Sequence, residues 1–181
     1  MKRIVFSGIF LLIVVAAFFS CKKEDLYGKS RREELKELEA YIAENYPDIK
    51  PKPSGLYFIE TQEGAGDTIK VLDRVHIYYA TYALSTDSLN NLILILIDES
   101  VQYSTDGYMY EPFEVIVGSG GAIQGLEEGL RYMQPGSQAR LVINSGLAYG
   151  DGRRNSPVPG FTTLVMDVDV HKVFPYDIPE D

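Results

Sequence analysis

Few residues in this chain could carry covalent or metal chemistry. The 181 residues include one cysteine, Cys21, and two histidines, His76 and His171. A single thiol cannot form a disulfide within the chain and supports no cysteine-based metal site. The two histidines have no carboxylates at ligand spacing beside them, so no metal or other cofactor is expected. Gly118-Ser119-Gly120-Gly121 resembles a phosphate loop only superficially. No Lys-Ser/Thr follows it, and Ile123 stands where a dinucleotide fingerprint needs glycine. Asn144-Ser145-Gly146 is not a nucleophile elbow, which requires a glycine two residues before the serine. Glu127-Glu128 reads as the solvated side of a short helix rather than an acid/base pair. His76 reads as a partly exposed strand histidine, and Arg153-Arg154 as a solvated loop pair rather than a contact for an acidic peptide.

Composition narrows the class. Hydrophobic residues make up 45% of the chain, enough for one globular core; tyrosine is abundant at 13 and tryptophan absent. The net charge is −9. Such a chain repels phosphate backbones, so nucleic acid is not an expected partner. Residues 1–20 combine Lys2 and Arg3 with an apolar run from Ile4 to Phe19, then Ser20 and Cys21. The run has the length of a signal h-region and is short for a membrane span. A small residue followed by a lone cysteine resembles a bacterial lipoprotein signal, although Phe18 and Phe19 depart from its tightest form. On this reading residues 1–20 are removed, Cys21 is the lipidation site, and the protein is tethered to the outer membrane of a Gram-negative envelope. Cleavage would leave 15 basic against 26 acidic residues, a net −11. Lys22-Lys23-Glu24-Asp25 then reads as a solvated tether rather than a surface-export tag.

The elements follow from periodicity. Residues 30–46 are expected to form a helix, with Ser30 and Glu33 at capping-box spacing and an apolar stripe of Leu35, Leu38, Ile42 and Tyr46. Pro47 stops it. This helix could dock a partner or a second copy, or pack on its own domain. Residues 54–174 are expected to form the globular domain, with 21–53 as tether and helix and 175–181 as a tail. Strands are expected at 55–60, at 73–82 and at 111–118. Leu92 to Ile97 is a run of six apolar, β-prone residues. It calls for a strand covered on both faces, preferably tucked under the N-terminal helix, the alternative being a hairpin that offers a partner surface. Residues 122–132 carry Ile123, Leu126, Leu130 and Met133 at helical spacing, and Gln134-Pro135-Gly136-Ser137 ends that helix. Gln138 to Ile143 alternates as a half-buried strand. Thr162 to Val170 is another, with Leu164, Met166, Val168 and Val170 on one face.

The order Ile123-Gln124-Gly125-Leu126-Glu127-Glu128-Gly129-Leu130, Met133, Pro135-Gly136, Ala139-x-Leu141-x-Ile143, Leu147-Ala148-Tyr149-Gly150 and Thr163-Leu164-Val165-x-Asp167-Val168 resembles the FKBP-type peptidyl-prolyl cis-trans isomerases. The resemblance covers roughly residues 54–174. It implies an α+β fold, a twisted, mainly antiparallel sheet wrapped around one short helix, with the N-terminal helix added. It also implies a function: proline-containing polypeptides as clients, and catalysis of X-Pro rotation without nucleophile or metal. An apolar pocket grips the proline ring, strips water from the carbonyl and favours the twisted amide over both planar forms.

Roles follow from the same resemblance. Tyr79, Phe113, Ile123, Leu126 and Met166 would form walls and floor, with Ile97 and Ala122 beside them. The Ile123 amide would bond a substrate carbonyl, the Tyr149 hydroxyl would hydrogen-bond the ligand, and Val158 would cap the cavity. Asp98 would orient Tyr79. The chain is about fourteen residues longer between Tyr82 and Phe113 than compact members of the family, so the acidic position has two alignments. Ile97-Asp98 keeps an acceptor for Tyr79 and is preferred; Tyr103-Ser104 would lose it. Leu126 and Met166 replace residues that are often aromatic, and Gly121 and Ala122 occupy two rim positions. The pocket stays apolar but is less sharply shaped. Two alternatives therefore stand: a non-catalytic peptide-binding or assembly lipoprotein on the same scaffold, and a structural subunit whose pocket is filled.

Overall fold

A computed structural model describes residues 26–100, 111–152, 156 and 158–177. Helix α1 spans Leu26–Asn45 and is followed by β1 (Tyr57–Gln62), β2 (Arg74–Thr86), β3 (Leu92–Glu99) and β4 (Phe113–Ile116). Helix α2 (Gln124–Leu130), β5 (Gln138–Ile143), a single 3-10 turn at Ser145–Leu147 and β6 (Leu164–Phe174) complete the order. The strands form one six-stranded sheet in the order β1-β5-β6-β2-β3, with β4 also paired to β2. Every pairing is antiparallel. The expected α+β architecture is therefore present. None of the described helices is long and apolar enough to cross a membrane.

The concave face of the sheet closes on α2. Leu126, Leu130 and Met133 bury against Leu141, Ile143, Leu164, Met166, Val168 and Val170, the inward residues of β5 and β6. Two glycines let α2 lie this close: a Cβ on Gly125 would strike Ile143, and one on Gly129 would strike Leu141. Helix spacing of four residues puts both on the sheet-facing side.

The convex face is covered as well. Leu38, Tyr41 and Ile42 of α1 pack on Ile59, Leu84, Val142 and Val165. Alternation along β5 and β6 therefore sends apolar side chains to two different cores, which explains Val142 and Val165 among otherwise polar outward residues. Residues 26–29 are already helical, so Ser30 is an interior residue of α1 and the expected capping box does not form. Gly28 weakens this first turn without ending it, and Tyr27 meets the Phe161 ring edge-on at 4.7 Å, so packing holds the extension. Its buried stripe is Glu34, Leu38, Tyr41 and Ile42, while Leu35 and Tyr46 are only half-buried.

The apolar run in β3 is only partly covered. Leu92 and Leu94 reach the core under α1. Ile93, Ile95 and Leu96 are exposed, so the expectation of cover on both faces is not met. The strand is the edge of the sheet, and α1 reaches only one of its faces. Asp87 fixes the β2–β3 turn, accepting from the Leu89 and Asn91 amides (2.8 Å each) and from Asn91 Nδ2 (3.0 Å). Those bonds, led by the Asn91 side chain, hold its carboxyl below the usual range.

Candidate functional site

The pocket opens on the concave face, between β2, the end of β3, β4, the N-terminus of α2 and the loop after β5. Its volume is about 630 Å³, and Tyr79, Thr81, Ile97, Asp98, Phe113, Ala122, Ile123, Leu126, Ala148, Tyr149, Leu164 and Met166 line it, with Gly121 and Gln124 at the rim. Ten residues were expected at this site, and nine converge: Tyr79, Ile97, Asp98, Phe113, Ala122, Ile123, Leu126, Tyr149 and Met166. Val158 does not line the pocket. It is buried in the main core, and its carbonyl accepts from Ser156 Oγ at 2.7 Å. Core burial stabilises the valine side chain more than a solvated rim would. Thr81, Leu164 and Ala148 were missed. Period-two spacing from Tyr79 and from Met166 would have found the first two, and adjacency to Tyr149 the third.

The end of β3 is shaped by a bulge. Asp98 pairs with Thr81 and Leu96 with Tyr82, leaving Ile97 as the extra residue. A bulge re-aims side chains at the point where it occurs. Here Ile97 and Asp98 both reach the pocket; the alternative, Tyr103-Ser104, lies outside the described residues. Tyr79 Oη donates to Asp98 Oδ2 at 2.9 Å. The backbone holds the pair: Tyr79 N donates to Ser100 Oγ (2.8 Å) and Ser100 N to Tyr79 O (2.9 Å). The Phe113 ring meets Tyr79 edge-on, with centroids 5.6 Å apart. Burial, and next the bond to Asp98, push the Tyr79 hydroxyl up to about 12. Burial, and next the Asp98 charge, raise Tyr149 as well. Both phenols therefore remain proton donors at neutral pH.

Two donors at this site have no acceptor among the described residues. The Ile123 amide, at the N-cap of α2, bonds to nothing there, and neither does the Tyr149 hydroxyl. The rim loop before α2 is held from inside. Glu127 accepts from the Gly118 amide (3.0 Å) and the Ala122 amide (3.3 Å), and Glu128 accepts from Ser54 Oγ (2.7 Å). The Glu127-Glu128 pair is thus half-buried bracing, not a solvated face. His76 is a strand residue paired with Glu114 at 3.1 Å and meeting the Phe174 ring edge-on at 5.0 Å, away from the pocket. Among the described residues no cluster of His, Cys, Asp or Glu could hold a metal ion.

Behind the pocket wall lies a buried polar latch. Glu34 of α1, 3% exposed, accepts from the Ser145 amide (2.5 Å), Ser145 Oγ (2.7 Å) and Thr163 Oγ1 (3.2 Å). Arg31 donates to Glu34 (2.6 Å), to Ser145 Oγ (2.9 Å) and to Asn144 Oδ1 (2.9 Å). Ser145 leads directly into Ala148 and Tyr149, and Thr163 into Leu164 and Met166. One carboxylate therefore fixes the origins of two pocket walls. A second cross-strand lock joins Arg140 to Asp167 at 2.6 and 2.7 Å, with Tyr46 Oη at 3.1 Å from the same guanidinium.

The sheet curled around a short central helix, with an apolar hollow where the helix starts, defines a prolyl-isomerase-like fold. The signature described as FKBP_C, FKBP-type peptidyl-prolyl cis-trans isomerase, matches residues 66–171. The chain belongs to that family. A probable FKBP-type peptidyl-prolyl cis-trans isomerase of Haemophilus influenzae is 31% identical over 153 residues, 84% of this chain and 56% of that protein. FK506-binding protein 2B of Rhizopus delemar is 35% identical over 80 residues, 44% of this chain and 38% of that protein. The chain thus spans about half the length, or less, of these relatives. The crystal structure of FkpA from Escherichia coli superposes with a TM-score of 0.63 at 23% identity, covering 96% of this chain and 73% of that one. An isomerase from Pseudomonas syringae gives 0.61 at 22% identity, covering 81% and 95%. At such identities the two structures show the shared fold.

Proposed function

We propose that this protein is a peptidyl-prolyl cis-trans isomerase and folding helper for exported proteins, held at the envelope membrane through Cys21. Cys21 lies outside the described residues, so the tether rests on the sequence pattern alone. One observation supports the catalytic reading most: the apolar pocket carries an oriented Tyr79–Asp98 pair and, beside it, two donors with no partner among the described residues, the Ile123 amide and the Tyr149 hydroxyl.

The chemistry needs no covalent step. An X-Pro bond is held by a barrier of ~18–20 kcal/mol arising from amide resonance. In the twisted transition state the carbonyl loses charge and the nitrogen becomes pyramidal. Apolar walls of Phe113, Ile123, Leu126 and Met166 hold the pyrrolidine ring and disfavour the more polar planar amide. The Ile123 amide bonds the carbonyl that flanks the reacting bond, and the Tyr149 hydroxyl bonds the backbone on the other side. The Asp98 acceptor keeps the Tyr79 ring upright against the proline. These contacts need to favour the twisted form by only ~4 kcal/mol for a thousandfold acceleration.

A second reading, peptide binding with little catalysis, draws on Leu126 and Met166, which give a softer floor and wall than aromatic rings. A protease-coupled assay on an Ala-Leu-Pro-Phe peptide separates the two. The isomerase reading expects acceleration by the wild type and loss in Tyr79→Ala. Binding of the peptide without acceleration favours the second reading.

A further inference from the structure

We infer that β3 is a docking strand for an extended apolar segment of the client, continuous with the proline pocket; this rests on the isomerase reading above. Ile93, Ile95 and Leu96 are 38%, 47% and 49% exposed. No described strand pairs with the outer edge of β3, which ends the sheet. Natural edge strands are commonly blunted by charge or proline. Residues 92–97 contain neither, and the strand's two charges, Asp98 and Glu99, stand at its pocket end. An edge that no described strand covers is one on which other extended chains can pair.

Continuity identifies the chain that it captures. In β2, Thr81 lines the pocket and Ala83, two residues on, shares its face. Ile95 lies opposite Ala83 and Ile93 opposite Ser85, so both isoleucines carry the pocket face outward along the sheet. The bulge at Ile97 joins the two regions, since Ile97 and Asp98 are pocket lining while Ile95 is open strand. A client that places proline beside Ile97 must leave the pocket extended. At ~3.3 Å per residue, Ile93 lies ~13 Å from Ile97, so the client segment that it meets is about four residues from the proline. Alternate client side chains then face Ile95 and Ile93, which selects apolar residues at every second position. A tetrapeptide with two residues before its proline extends no further than Ile95 and stops short of Ile93.

The test compares wild type with Ile93→Thr/Ile95→Thr and, separately, Ile93→Lys/Ile95→Lys. Threonine keeps the strand preference, and both sites are exposed, so folding is retained. The substrates are a proline tetrapeptide and a peptide of about twelve residues with valine or leucine at alternate positions on one side of the same proline. For the wild type, kcat/KM on the long peptide should exceed that on the tetrapeptide by about fivefold or more through KM, and both variants should remove the excess while leaving tetrapeptide turnover unchanged. Anisotropy of the labelled long peptide should show the same rise in Kd, independent of turnover. Equal long-peptide binding by wild type and variants would overturn the inference. So would equal losses on both peptides, or wild-type self-association, by light scattering, that the variants abolish, since the strand would then serve a second copy. Absence of tetrapeptide turnover by the wild type would instead sink the isomerase reading, while anisotropy still decides the role of β3.

Discussion

The two faces of the sheet are built to opposite rules. The convex face under α1 is filled: apolar side chains interlock, and the buried carboxylate of Glu34 accepts from Arg31, Ser145 and Thr163. The concave face is filled by α2 against inward residues of β2, β4, β5 and β6, and where α2 begins it is left hollow. There two donors remain unused among the described residues. Incomplete packing marks the site, and complete packing behind it keeps the hollow from collapsing. The same strands serve both ends, because alternate residues of β5 and β6 face opposite ways.

This contrast predicts a ranking of mutational effects. The largest belongs to the latch. Glu34→Ala leaves the Ser145 amide and the Thr163 hydroxyl without their acceptor and removes one of Arg31's three, so it should cost about 3 kcal/mol in urea unfolding, with Glu34→Gln milder. Tetrapeptide turnover of the folded fraction should fall too, because Tyr149 and Leu164 lose their anchor. Next come the glycines of α2. Alanine at Gly129 gains up to ~1 kcal/mol of helix propensity but collides with Leu141, so overpacking of ~1–3 kcal/mol decides the sign. Lower thermal stability and weaker peptide binding should appear together, since α2 carries Leu126 and follows Ile123. Tyr79→Phe is smaller. It removes the 2.9 Å bond to Asp98 and should lower kcat/KM about tenfold, with a change in unfolding free energy of at most ~1 kcal/mol.

The smallest effect is that of pH. The Tyr79 hydroxyl is raised to about 12 in the folded protein. Its unfolded value is near 10, so the folded state holds the proton more tightly. Stability from this group is complete below about pH 10 and declines as pH rises toward 12. Turnover should therefore be level from about pH 6 to about pH 9, which a buffer series on the tetrapeptide would check.

Much of this was legible in the sequence. The strands β5 and β6 read directly from alternation, and α2 from its spacing. Nine pocket residues followed from motifs that keep their order along the chain. What escaped depends on partners far apart in sequence. No spacing along α1 singles out Glu34 until Ser145 and Thr163 are brought beside it. The run in β3 reads as buried on both sides until the sheet order leaves it at the edge. Val158 reads as a cap until its loop folds back on the core. In each case local pattern is overruled by long-range neighbours, which alternation and helical spacing cannot encode.

The most direct test is exchange spectroscopy by NMR on a peptide with one X-Pro bond, whose cis and trans signals are separate and interconvert slowly without catalyst. With catalytic amounts of the wild type, exchange cross-peaks should grow in, and in the same titration the Ile123 amide and the Tyr79 and Tyr149 ring signals should shift. Tyr79→Ala should leave exchange at the uncatalysed rate. Unchanged exchange with the wild type, or exchange that survives Tyr79→Ala undiminished, would contradict the placement of catalysis in this pocket.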